Sequence, residues 1–146
     1  MNKLPKKLLY EDAQCKCTID SNGIKRWILN GNLHRTDGPA IEYSNGSKEW
    51  YVEGKLHRTD GPAIEYSDGY KAWYFEGKRH RTDGPAVEYS DGYKAWYVEG
   101  NLHRTDGPAV ESDDYKSWYV EGEIINPKRL VKLGYMTEGE LMLDLL

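Results

Sequence analysis

The string His-Arg-Thr-Asp-Gly-Pro-Ala occurs four times, beginning at His34, His57, His80 and His103, at a constant spacing of 23 residues. Trp27, Trp50, Trp73 and Trp96 keep the same step, and Trp118 follows after 22. Such a chain cannot wrap one central core. Each copy is a small unit that buries its apolar surface against the next. Four units span 27–49, 50–72, 73–95 and 96–117, and Trp118–Gly122 begins a fifth. Cys17–Arg26 matches Ala40–Glu49, so half a unit precedes the first full one. The fourth copy lacks the Tyr found at positions 43, 66 and 89, and has Asp114 where Gly46, Gly69 and Gly92 stand. Divergent end copies are expected of a capped array. The chain therefore divides into an N-terminal segment 1–16, a half repeat 17–26, an array 27–122 and a C-terminal segment 123–146.

Within one unit, Ala63–Tyr66 and Lys71–Glu76 are rich in aromatic and β-branched residues and alternate with period two, which predicts two strands. Ser67-Asp68-Gly69 lies between them, and Asp-Gly between strand-like runs signals a hairpin. Thr82-Asp83-Gly84-Pro85 is a second turn. The expected fold is all-β, a tandem array of antiparallel hairpins forming an elongated, twisted sheet. A β-solenoid with one coil per repeat competes with it. Leu, Ile, Val and Phe make up only 27 of the 146 residues, and the apolar bulk is carried by 12 Tyr and 5 Trp. That composition suits half-buried rings in rows better than a thick core.

The unit resembles a MORN-type repeat, in the variant form W-Y-x-x-G-x-x-H-R-x-D-G-P-A. The likeness rests on the 23-residue period, on Gly77-Lys78-Arg79-His80 and on the hairpin at Asp91-Gly92, and it covers residues 17–122. The chain departs from the more familiar pattern after the His, where Arg-Thr-Asp-Gly-Pro replaces closely spaced glycines. The resemblance implies a hairpin array used for protein interaction and self-association, sometimes linked to membranes, with no catalytic residues. The variant form is frequent in bacteria, bacteriophages and large DNA viruses. A stand-alone copy is then expected to act as a phage or bacterial inhibitor that blocks a host or rival protein in the cytoplasm.

Chemistry-bearing residues recur with the repeat, which points to architecture. In a hairpin array equivalent histidines lie two strands apart, about 9.5 Å, too far to share an ion with Zn–N bonds of about 2 Å. No metal site and no cofactor are expected. His, Arg35, Arg58, Arg81 and Arg104, with Asp37, Asp60, Asp83 and Asp106, are expected to close each loop and tie it to the next unit. An alternative makes Arg35, Arg58, Arg81, Arg104, His57 and His80 a strip that binds a small, nucleotide-like anion, because a guanidinium fork suits phosphate. The repeated glutamates should lie on open sheet faces with no cleft, so an enzyme is not expected. Cys15 and Cys17 are expected to be packing residues.

The aromatic rows are the candidate binding surface. Tyr51, Tyr74, Tyr97 and Tyr119 recur along one row, Trp73 belongs to the other, and Tyr70 and Tyr93 follow the hairpin turns. Rigid amphipathic rings anchor protein interfaces. Nucleic acid is an unsuitable partner, since 20 Lys and Arg face 24 Asp and Glu for a net charge of −4, and phosphate binding needs clustered, uncompensated cations. No apolar run reaches the roughly 20 residues of a membrane span. The N-terminus lacks the apolar centre of a signal peptide, so a cytoplasmic location is expected.

Nine of the 13 leucines lie outside the repeats. Asn126-Pro127 reads as a helix start, Gly134 as a stop, and Thr137-x-x-Glu140 as a capping box. Two short C-terminal helices are expected to cover the last strand edge. A sharper alternative gives the apolar segment Leu141–Leu146 to a homodimer interface, with self-assembly as the function.

Overall fold

The structure is a computed structural model that describes residues 15–144. Most of the N-terminal segment, with Leu4, Leu8 and Leu9, lies outside the described residues, as do Leu145 and Leu146. The described chain forms nineteen short strands and two helices. It clusters into two compact units, one ending at Gly77 and the other starting at Lys78.

In the first unit, Lys16–Ile19 pairs with Lys25–Leu29, with Cys17 opposite Trp27. Arg26 then pairs with Ile41, Ile41 with Glu49, Glu49 with Ile64, and Ile64 with Ala72. In the second, Val87–Glu88 pairs with Lys94–Ala95, which pairs with Val110–Ser112, which pairs with Tyr115–Ser117. Every pairing is antiparallel. Equivalent strands such as Ile41–Glu42 and Ile64–Glu65 are separated by Lys48–Glu49. A one-coil solenoid would stack equivalent strands side by side and parallel, so the hairpin array is the fold.

The hairpin turns follow the expected chemistry. Gly69 adopts φ 94°, a conformation only glycine enters without strain. The Asp68 side chain accepts the Tyr70 N–H at 2.9 Å, closing an Asx turn.

The expected strand Lys71–Glu76 is broken at Trp73. Lys71–Ala72 stays in the main ladder and Tyr74–Phe75 is a separate strand, as is its equivalent Tyr51–Val52, which forms a second, two-stranded ladder with Lys55–Leu56. The cause is visible at Trp50. Its N–H donates to Ala63 O at 2.8 Å in the main ladder, and its C=O accepts the His57 N–H at 3.0 Å in the small one. Each repeat thus supplies two hairpins, and the Trp backbone joins them. Neighbouring small hairpins are linked as well: Gly54 N–H donates to Leu33 O and Arg35 N–H to Tyr51 O.

Little bulk is buried in the array. Its fully enclosed side chains are mostly Ala40, Ala63, Ala72, Ala86, Ala95 and Ala109, flanked by Ile41, Ile64, Val87 and Val110. An apolar cluster of larger side chains forms at the C-terminal end. Here Leu130, Met136 and Leu141 enclose Trp118, with Val120, Ile125 and Val131 around them. Leu130 projects from α1 (Pro127–Lys132), which Asn126 caps by accepting the Lys128 N–H at 3.0 Å. Leu141 projects from α2 (Glu138–Asp144). The capping box is complete: Glu140 N–H donates to Thr137 Oγ1, and Thr137 N–H donates to Glu140 Oε2. Met142 and Leu143 stay exposed. No helix of the described residues is long and apolar enough to cross a membrane.

Candidate functional site

The repeated loop residues bond to each other. Arg58 Nε donates to Asp60 Oδ1 at 2.8 Å, and its Nη1 donates to Pro62 O and Glu65 Oε1 at 3.0 and 2.7 Å. Its guanidinium lies 3.9 Å from the Trp50 ring centroid, a cation–π stack. The other face abuts Gly61, where an added Cβ would fall 2.9 Å from Cζ. Arg35 and Arg104 repeat the stack on Trp27 and Trp96 at 4.0 Å, and Arg81 repeats the bonds to Asp83, Pro85 and Glu88. The guanidinium beside each of Asp37, Asp60 and Asp83 holds its carboxyl below the usual range.

These arginine–aspartate bonds close one loop; they do not tie units together. The tie to the next unit is histidine. Nδ1 of His34, His57, His80 and His103 accepts the backbone N–H of Glu53, Glu76, Glu99 and Glu121 at 3.1–3.2 Å. At His80 the same Nδ1 also lies 3.1 Å from Glu99 Oε1. Because the N–H contact recurs at all four sites, we assign Nδ1 as an acceptor and Nε2 as the protonated nitrogen.

In the first unit a groove of about 460 Å³ runs between successive loops, past Arg35, Asp37, His57, Arg58 and Asp60. Both arginines of this groove thus have an aspartate beside them. Among the described residues no group of three or more His, Cys, Asp or Glu could hold a metal ion. Cys15 Sγ donates to His34 O at 3.2 Å, and burial pushes the Cys17 thiol up.

The tyrosines are where the repeats differ. Strand alternation puts residues 41, 43, 47, 49 and 51 on one face. There Glu49, a buried carboxylate, accepts three phenol hydroxyls at 2.9 Å each, from Tyr43, Tyr51 and Tyr66. Burial, then the bond to Glu49, raises all three phenols above their usual value. In the second unit, Val87, Tyr89, Tyr93, Ala95 and Tyr97 occupy the equivalent face and line an open cleft of about 300 Å³. Arg79 and Asp91 complete its wall.

Of the sequence-predicted residues, Tyr93 and Tyr97 line this cleft and Tyr51 bonds Glu49, whereas Tyr70, Tyr74, Tyr119 and Trp73 are half-buried elsewhere. The most exposed rings described are others: Tyr115, Tyr135, Tyr89, Phe75 and Tyr66, at 54, 51, 48, 41 and 38%. Glu49 and Arg79 were missed too. The available signal was their departure from the repeat: Arg79 stands where other copies carry Leu33, Leu56 and Leu102, and Glu49 where they carry Ala72 and Ala95. No protein-family model matches the chain, and no curated protein matches it either.

Proposed function

We propose that the chain is a non-enzymatic protein-binding module of MORN-type repeats, which blocks or recruits a partner through its tyrosine-bearing hairpin face. The observation that carries this reading is the exposure of Tyr89 and Tyr115 in the second unit, on a scaffold of short, hydrogen-bonded hairpins. Partly exposed rings on rigid backbone offer contact area at low entropic cost. The loop arginines, by contrast, already spend Nε and Nη1 on internal carboxylates and carbonyls, so the anion-strip alternative has less to support it.

The test is affinity capture from host lysate with wild type and a folded Tyr115→Ser variant. A protein held by the wild type and lost by the variant is the expected result. Identical capture by both would remove the face from consideration.

A further inference from the structure

We infer that the cleft over Ala95 is a carboxylate pocket that receives an acidic side chain of the partner protein. The inference rests on the protein-binding reading and deepens it.

The first unit contains the occupied version of this site. Ile41 pairs with Glu49 as Val87 pairs with Ala95, so Ala95 stands at the repeat position of Glu49. Tyr89 and Tyr97 are the counterparts of Tyr43 and Tyr51, two of the three phenols that hold the Glu49 carboxylate. A third ring, Tyr93, occupies the position of Ser47 and meets Tyr89 edge-on, with centroids 5.4 Å apart. With only a methyl group at position 95, the volume that a carboxylate side chain fills in the first unit is open to the outside.

Two features fit the second site to a carboxylate from elsewhere. Arg79 replaces the leucine of other copies, and its Nη1 reaches the Tyr97 hydroxyl at 3.4 Å, with Cζ 5.2 Å from that ring centroid. A guanidinium beside phenol donors suits a carboxylate, because charge-assisted hydrogen bonds are the strong ones. The remaining titratable neighbour, Asp91, directs Oδ1 to the Tyr93 N–H at 3.1 Å, which holds its charge at the hairpin turn. The mouth is wide and bordered by the exposed Tyr89 ring, which suits a side chain presented on a protein surface.

The experiment uses the full chain and two variants, read by amide chemical shifts. Ala95→Glu places the missing carboxylate in the pocket as an internal competitor. Arg79→Leu restores the residue of the other copies. The probes are acetyl-Gly-Glu-Gly-Glu-Gly-amide, its Gln counterpart, sodium acetate and sodium phosphate. The expected result is that the Glu peptide shifts amides of Tyr93, Ala95 and Tyr97. The Gln peptide should bind at least about tenfold more weakly, as loss of charged hydrogen bonds implies, and both variants should lose the response. A wild-type response equal for Glu and Gln peptides, or an Ala95→Glu variant that still binds, overturns the pocket. Acetate or phosphate binding as tightly as the peptide overturns the protein source. Lysate capture separates the two levels: a partner lost with Tyr115→Ser but kept by Ala95→Glu and Arg79→Leu sustains the module and removes the pocket. Glu-peptide binding without any captured partner would instead remove the protein-binding reading.

Discussion

At the scale of single residues, the repeat retains one conformation that its own side chains disfavour. The two-residue turn of each small hairpin has positive φ at both central positions, as at Glu76 (48°) and Gly77 (82°). This is the type I′ geometry, for which Asn-Gly is preferred, and these turns use that pair once, at Asn30-Gly31. Glu76→Asn should therefore raise stability by about 0.5–1 kcal/mol, the order of the left-handed penalty relieved, seen as a higher urea midpoint with unchanged slope. An unchanged or lower midpoint would mean that the Glu side chain contributes more than the strain costs. Gly61 is kept for a different reason, close approach. Arg58 is held between that backbone and the Trp50 ring, so it cannot retreat from a new methyl group. Gly61→Ala should cost about 1–3 kcal/mol, the usual range for overpacking, and a variant as stable as wild type would show that the stack is dispensable. This scale was the least legible in the sequence. In near-identical copies, a partner in the same unit and one 23 residues on have the same identity. The pattern named His, Arg and Asp as structural, but not that arginine bonds within its loop while histidine reaches the next unit.

At the scale of elements, legibility followed how local each signal is. The C-terminal helices were readable because their caps are short-range chemistry: Asn126-Pro127 and Thr137-x-x-Glu140 act on backbone N–H groups within three residues. The main hairpins were readable from Asp-Gly for the same reason. The small hairpins were not, because Glu is an unfavourable residue for their first turn position, and only the tertiary ladder explains it. The strand divided at Trp50 has the same origin: period-two alternation continues across the Trp, but its N–H and C=O serve different ladders. The cap contributes an apolar cluster built of large side chains, so truncating its centre should be costly. Leu130 is fully buried against Trp118, Met136 and Leu141. Leu130→Ala should lower stability by about 2–5 kcal/mol and shift tryptophan emission to the red as Trp118 gains water. Loss of stability without any emission change would separate the helices from Trp118 and contradict the packing.

At the scale of the whole molecule, copying one weak device along the chain makes its pH response additive. An exposed ion pair contributes little alone; Asp60 is 80% exposed beside an Arg58 that is 19% exposed. Yet Asp37, Asp60 and Asp83 are all lowered from 3.8 by their arginines, and Asp20 is lowered by Arg26. A carboxyl lowered on folding binds fewer protons in the native state than in the unfolded chain. Its contribution is complete above about pH 4 and drains as pH falls through the lower native value. The tyrosines act in the opposite sense. Tyr43, Tyr51, Tyr66 and Tyr93 are raised from 10.0, chiefly by burial. Their contribution is therefore complete below pH 10 and is lost as pH rises beyond it. Stability should therefore fall at both ends, with the raised Cys17 thiol joining the alkaline limb from about pH 9. The acid limb can be assigned with Asp37→Asn/Asp60→Asn/Asp83→Asn, measured by urea unfolding at neutral pH and near pH 2. Because the wild-type carboxyls lose their advantage on protonation, the variant should be less stable at neutral pH and close to wild type in acid. A gap of equal size at both pH values would mean that the three asparagines act through lost turn geometry, and the arginine–aspartate charge would not be the source of the acid limb.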